Sequence, residues 1–226
     1  KNRNISNRRS LLMDIIEVCR KLYQKNFLAG IDGNVSVYNQ KNKTISITPS
    51  GVPKNCLNEE DLCSMSPEGA PLKGNPSSEK SMHLTVYREQ KKARAVVHAH
   101  PPFAVSLSLS RPRWKTLPSV LSETVIALGE IPIIPYACPG TEEMAQSLCP
   151  FLQTSRALIL SRHGAVTWGE DLQSAYLTME CLEHSAQIIY LAETLGGSRL
   201  LNEKDLKQLL NLHSSFTFKN KNTSSV

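Results

Sequence analysis

Ala95-Val96-Val97-His98-Ala99-His100, followed at once by Pro101-Pro102, is the stretch on which the fold turns. An apolar run this short, rich in β-branched residues and stopped by two prolines, predicts a buried strand ending where a new helix can begin, since proline suits a first helical turn. That helix is expected over Phe103 to Ser108. Upstream, Val35–Tyr38 and Thr44–Thr48 are two short β-rich runs joined by Asn39–Lys43, a hairpin signal. Downstream, Ala157–Leu160 and Ala165–Trp168 flank His163-Gly164 as two more strands.

Helical periodicity covers the intervals. Ser10 stands as a cap before Leu11, Leu12, Ile15, Ile16, Cys19 and Leu22, predicting a helix to about Ala29-Gly30. Ser78 can cap a helix starting at Glu79 and carrying Met82, Val86 and Tyr87. Thr141 to about Leu152 follows, with Glu142 and Glu143 in its first turn. The longest periodic segment is Asp171–Leu195, and a last helix is expected over Glu203–Leu212. Between Arg111 and Gly140, proline and glycine predict loops around short strands. Strands interspersed with helices in this irregular order favour a mixed or antiparallel sheet with helices packed on it, an α/β protein. A chain of 226 residues fits one domain, 1–226, with 1–9 and 214–226 as flexible tails.

The formal charge of +6 is supplied by Lys1, Arg3, Arg8, Arg9, Lys219 and Lys221, in end segments without acids. A basic stripe interleaved with aromatics is absent from the body, so nucleic acid is not an expected partner. Nor is a membrane, as no run approaches about 18 uncharged apolar residues. Cys19, Cys56, Cys63, Cys138, Cys149 and Cys181 lie scattered without a C-x-x-C pair, as reduced thiols of a cytoplasmic protein would. The chain begins at Lys1 rather than at a methionine, which leaves a preceding segment open.

Chemistry gathers on the histidines. His98 and His100, two apart on a strand, point to one face and can share an ion. Alone, the pair is weak evidence for a metal, and a satisfied pair of core or cross-strand histidines is the commoner reading. His163 adds a third imidazole at the junction Leu160-Ser161-Arg162-His163-Gly164, where a glycine lets the backbone bend sharply. Three neutral imidazoles with an open fourth position describe a catalytic zinc site. A metallo-β-lactamase would extend the pair to His-x-His-x-Asp-His, but Pro101, Pro102 and Phe103 follow, and the long helices exclude an all-strand cupin barrel. His83, His184 and His213 fall on predicted helices, as packing or surface residues. Glu79 sits at a helix start, where the dipole favours a carboxylate; beside a metal, partial burial would raise its pKa and suit it to proton transfer. Ser77, Ser78 and the first helical amides make a donor-rich pocket suited to phosphate, a type repeated at Gly33-Asn34 and Ser50-Gly51.

In order, Gly33-Asn34-Val35-Ser36, Ile47-Thr48-Pro49-Ser50-Gly51, Pro76-Ser77-Ser78-Glu79, Val96-Val97-His98-Ala99-His100 and His163-Gly164-Ala165-Val166 resemble the class II aldolase and adducin-head family. The fuculose-1-phosphate aldolases are its enzymes closest in pattern. The resemblance implies a three-layer α/β/α sandwich around a mainly antiparallel sheet and a homotetramer with active sites at subunit interfaces. It implies one zinc per chain on His98, His100 and His163, with Glu79 as acid/base and possible fourth ligand. It places the substrate phosphate on Gly33, Asn34, Ser50, Gly51, Ser77 and Ser78. The reaction implied is cleavage of a short ketose 1-phosphate, fuculose-1-phosphate-like or a deoxy- or methylthio-pentulose 1-phosphate, to dihydroxyacetone phosphate and an aldehyde. Sister enzymes of similar pattern are 4-epimerases, dehydratases and decarboxylases of sugar phosphates, and adducin heads are non-catalytic assembly modules. Where the fuculose-phosphate enzymes use a tyrosine on the departing oxygen, Leu117–Glu123 carries Ser122 and no tyrosine, and Tyr136 belongs to a different segment.

Overall fold

The computed structural model describes residues 15–219, with side chains through 214. The expected cap at Ser10 and the terminal segments 1–9 and 220–226 lie outside the described residues. Strands are β1 (Asn34–Asn39), β2 (Thr44–Ile47), β3 (Cys63–Met65), β4 (Pro71–Lys73), β5 (Ala95–Ala99), β6 (Ile133–Ile134), β7 (Ala157–Leu160) and β8 (Gly164–Gly169). They form one sheet in the order β4-β3-β2-β1-β5-β8-β7-β6, in which β6–β7 is parallel and every other pairing antiparallel. Helices are α1 (15–24), α2 (Lys80–Glu89), α3 (Pro102–Ser110), α4 (Ser122–Leu128), α5 (Glu142–Ser147), α6 (Leu172–Thr194) and α7 (Glu203–Lys219).

Alternation along the strands builds two cores. Val35, Val37, Ala95, Val97, Ala99, Ile159 and Ala165 face α1, α3, α4 and α6, while Ile45, Ile47, Val96, Leu158, Leu160, Val166 and Trp168 face α2 and α5. The result is the three-layer α/β/α sandwich around a mainly antiparallel sheet. Strand β5 lies at its centre with all five residues buried, as the unbroken apolar run requires.

Four local expectations change. Residues 63–73 form the short hairpin β3–β4, which no alternation announced; β4 is fully exposed and starts with a proline, as an edge strand can. Within 111–140 there is a helix, α4, because its seven residues pack Val125 and Leu128 into the core despite the flanking breakers. Glu79 is the N-cap of α2, and it is Ser77, not Ser78, whose hydroxyl accepts a backbone proton there, from Glu79 N at 3.3 Å. The last helix runs past Leu212 to Lys219.

Helix α3 starts on a carboxylate borrowed from another helix. Pro101 and Pro102 have no N–H to offer, and the next two amides, Phe103 N and Ala104 N, donate to Glu183 Oε1 and Oε2 at 2.8 and 2.9 Å. Glu183 lies on α6, and its burial pushes its carboxyl above the usual carboxylate range, the two amides offsetting only part of that rise. In the turn before β8, the left-handed residue is Arg162 (φ 62°), not Gly164. Gly164 is needed for room: a Cβ there would stand 2.5 Å from Ala99 O and 2.7 Å from His100 Cδ2. Gly164→Ala is expected to destabilise the fold by about 1–3 kcal/mol, seen as a lower urea midpoint with an unchanged slope, because the opposing atom is rigid backbone.

Candidate metal centre and anion cradle

The end of β5, the start of β1 and the start of β8 meet at one end of the sheet. Register places Asn34 and Val166 opposite His98 on either side. His98 is fully buried, and its Nδ1 donates to Ala165 O at 2.9 Å, so its proton is there and Nε2 carries a bare lone pair. His100, just past β5, is held by its amide donating to Phe27 O at 2.8 Å, and its Nδ1 faces Asp32 Oδ2 at 3.4 Å. His163 occupies the turn between β7 and β8.

These groups converge. His100 Nε2 is 3.2 Å from His98 Nε2; Glu79 Oε2 is 3.3 Å from His98 Nε2, and Glu79 Oε1 is 3.1 Å from His163 Nε2. Among the described residues, the three histidines are the group whose ligand atoms lie close enough to hold one ion. A tetrahedral ion with metal–nitrogen bonds of about 2.0–2.1 Å would separate its donors by about 3.3–3.4 Å, close to these spacings. With Nδ1 of His98 donating elsewhere and Nδ1 of His100 turned to Asp32, two Nε2 lone pairs and a carboxylate oxygen face one another. Acceptors so placed repel unless a cation lies between them, and the donor set of imidazole and carboxylate suits a divalent metal. Glu79 is the carboxylate that faces the nitrogens of His98 and His163.

Burial pulls the Glu79 carboxyl up, as expected from sequence, but the adjoining His163 and His98, where positive charge gathers as a proton or a shared cation, outweigh it and hold Glu79 below the usual carboxylate range. The expectation of a raised pKa is therefore corrected: in this geometry Glu79 is ionised. Burial, with His98 and His163 alongside, pushes His100 down to about 4.

Beside the cluster opens a cavity of about 540 Å³. Gly33, Asn34, Ser50, Gly51, Ser77 and Ser78 all line it, together with Glu79, His100 and His163. Its loops are stitched together: Ser77 N donates to Thr48 O and Ser50 N to Asn75 O, both at 3.2 Å. Gly33 and Gly51 have φ of 68° and 72°, and a Cβ on Gly33 would collide with His98 O at 2.8 Å. The Asn34 side chain is committed within the protein, its Nδ2 donating to Glu79 Oε2 at 2.8 Å.

Three contributors escaped the sequence reading. Lys54, buried at 2% exposure, also lines the cavity and donates through Nζ to Ile31 O (2.9 Å) and Val52 O (2.7 Å), tying the Gly33 loop to the Gly51 loop. Burial lowers its pKa below the usual lysine value. Asp32 addresses His100. His83, read as a packing residue, is fully buried and hydrogen-bonded to Asn34. A proline-lysine pair after a turn and a histidine four residues after Glu79 were the available signals. His184 is exposed, and His213 Nδ1 donates to Ile126 O at 2.9 Å, joining α7 to α4. Ser122 opens α4, and Tyr136 is exposed on the segment leading to Pro139 and Gly140, which line the cavity.

Fold and site together define an α/β protein whose candidate divalent-metal centre opens on a cavity lined by glycines, serines and Lys54. Residues 13–190 match the family described as "Class II Aldolase and Adducin N-terminal domain". The L-fuculose phosphate aldolase of Methanococcus maripaludis strain C5 is 36% identical over 185 residues, 82% of this chain and 98% of that protein. The 5-deoxy-D-ribulose 1-phosphate aldolase of Bacillus thuringiensis is 29% identical over 198 residues, 87% of this chain and 92% of the relative. The solved L-fuculose-1-phosphate aldolase of Thermus thermophilus superposes with a TM-score of 0.75 at 34% identity, covering 84% of this chain and 98% of that one. The chain belongs to the class II aldolase and adducin N-terminal domain family, and these relatives are named as aldolases.

Burial drives the His83 imidazole down to about 3 from its ordinary 6.5. The unfolded chain therefore binds a proton that the folded one refuses, so stability is full above about pH 6.5 and declines as pH falls toward about 3. Denaturation midpoints of metal-free protein should fall across this window, with a shallower dependence in His83→Gln.

Proposed function

We propose that this chain is a zinc-dependent aldolase that cleaves a short ketose 1-phosphate to dihydroxyacetone phosphate and an aldehyde. The substrate is fuculose-1-phosphate-like or a deoxy- or methylthio-pentulose 1-phosphate. The observation that carries the reading is the meeting of the His98 and His100 lone pairs with the Glu79 carboxylate at the mouth of a cavity lined by glycines, serines and Lys54. One zinc per chain would be held by His98, His100 and His163, with Glu79 as fourth ligand at rest. Bound there, zinc would supply Lewis-acid stabilisation of the charge that develops on the carbonyl side of the breaking carbon–carbon bond.

The chain's own residues do the rest. Gly33, Ser50, Gly51, Ser77 and Ser78, with the main chain at Asn34, form the proposed phosphate cradle, and its distance from the histidines fixes which carbons reach Glu79. The Lys54 cation lies beneath that cradle without a carboxylate within ion-pair distance among the described residues. Glu79, ionised and next to the histidines, takes up the proton released on the oxygen side of the bond and returns it to the carbon left behind. The homotetramer with active sites at subunit interfaces, a single domain and a cytoplasmic location complete the reading. No helix among the described residues is long and apolar enough to cross a membrane.

Zinc analysis combined with triose phosphate release from a panel of ketose 1-phosphates tests this. One zinc per chain, release from at least one substrate, and a Glu79→Gln variant that keeps the metal but loses about 10²–10⁴-fold in turnover are expected. Zinc without triose phosphate from any substrate would overturn carbon–carbon cleavage in favour of epimerisation, dehydration or decarboxylation. Metal-free active protein would overturn the centre itself. In addition, Lys54→Met should raise KM for the phosphorylated substrate about tenfold or more with kcat little altered, the size of one charged hydrogen bond.

A further inference from the structure

Behind Asn34 runs a line of buried polar groups that neither the histidine cluster nor the cradle uses. His83 Nε2 meets Asn34 Oδ1, Ser36 Oγ meets His83 Nδ1 at 2.7 Å, and the same hydroxyl meets the Tyr87 hydroxyl at 2.7 Å. Ser36 and His83 are fully buried, Asn34 and Tyr87 nearly so, in the seam between β1 and α2. The front of the line is Glu79, reached by Asn34 Nδ2.

Every proton in this line has a single direction available. The Glu79 carboxylate only accepts, so Asn34 must turn its nitrogen to Glu79 and its oxygen to His83. An amide oxygen only accepts, so His83 must carry its proton on Nε2. Its Nδ1 is then an acceptor, Ser36 must donate to it, and Tyr87 must donate to Ser36. A flipped Asn34 amide would set oxygen against Glu79 Oε2 and NH₂ against the His83 proton, repelling at both ends.

We propose that His83 is a positioning residue: held in the neutral Nε2–H tautomer by Ser36 and Tyr87, it locks the Asn34 amide and thereby fixes which Glu79 oxygen is free for proton transfer. The free oxygen is Oε1, whose neighbour is His163 Nε2, while Oε2 stays tied to Asn34. Simple packing between strand and helix would need no polar partner at the cavity, whereas this line ends on the carboxylate there. The inference rests on Glu79 as the proton-transfer group proposed above.

Two measurements without turnover come first. On ¹⁵N-histidine-labelled protein, NMR should show the signal lost in His83→Gln as a neutral Nε2–H imidazole at neutral pH; an Nδ1–H tautomer or an imidazolium would overturn the proposal. With cobalt in place of zinc, Ser36→Ala should change the visible absorption, since a loosened Glu79 alters the ligand field; an unchanged spectrum would overturn it. Both outcomes stand even if no ketose phosphate is cleaved, which separates this failure from failure of the aldolase reading. With a cleaved substrate in hand, folded, metal-loaded His83→Phe and Ser36→Ala should lose about 10–100-fold in kcat with KM little changed, and His83→Gln, which keeps a donor and an acceptor, should recover most of it. Wild-type kcat in either of the first two would sink the idea, and if His83→Phe does not fold, Ser36→Ala and the tautomer decide.

Discussion

Antiparallel pairing of β5 with β1 on one side and β8 on the other sets the address of each group in the site. It puts Asn34 and Val166 beside His98 and turns His98, Asn34 and Ser36 to the face covered by α2. Val97 and Ala99 go to the opposite core. Because side chains alternate with period two, a slip of one residue would exchange these sets, burying imidazole under α6 and pointing valine into the cavity. The same pairing brings Ala165 O against His98 Nδ1, so the backbone of a neighbouring strand decides which ring nitrogen is left bare. Geometry and protonation state thus have one source.

Around this centre, two opposite electrostatic needs are met within a few residues. The histidine end is rich in acceptors, with Glu79 and Asp32 adding negative charge, and is suited to a cation. The cradle end is lined by glycines and the hydroxyl-bearing Ser50, Ser77 and Ser78, with Lys54 among them, and is suited to an anion. Lys54 reaches this place by donating to two main-chain carbonyls, which joins the loops as well as supplying charge.

The parts of this arrangement that depend on local pattern were legible in the sequence. The apolar run into His100 could only be an interior strand, the 23-residue α6 showed its period, and three histidines were identifiable by spacing and by the turn at His163. What stayed hidden depends on partners far along the chain. Lys54 finds its carbonyl at Ile31 and His83 its amide at Asn34, and the local signals at the lysine and the histidine do not name those distant partners. Glu79 looked like a carboxyl to be raised by burial because the opposing pull comes from His98, on β5, and His163, in the turn before β8. Hairpin β3–β4 was invisible because three-residue strands at a sheet edge, one of them wholly exposed, leave no alternation to read.

Glu183 ties the start of α3 to α6 within one helical layer. The amides that open α3 directly after His100-Pro101 have their acceptor on α6, eighty residues away for Phe103. Helix α3 therefore lacks a satisfied start until α6 has docked, and a fluctuation that lifts α6 frees α3 in the same event. The chain leaving His100 loses its anchor with them. The two helices and the exit of the central strand are thereby coupled through one buried carboxylate, so an opening that lifts α6 also reaches the chain next to His100.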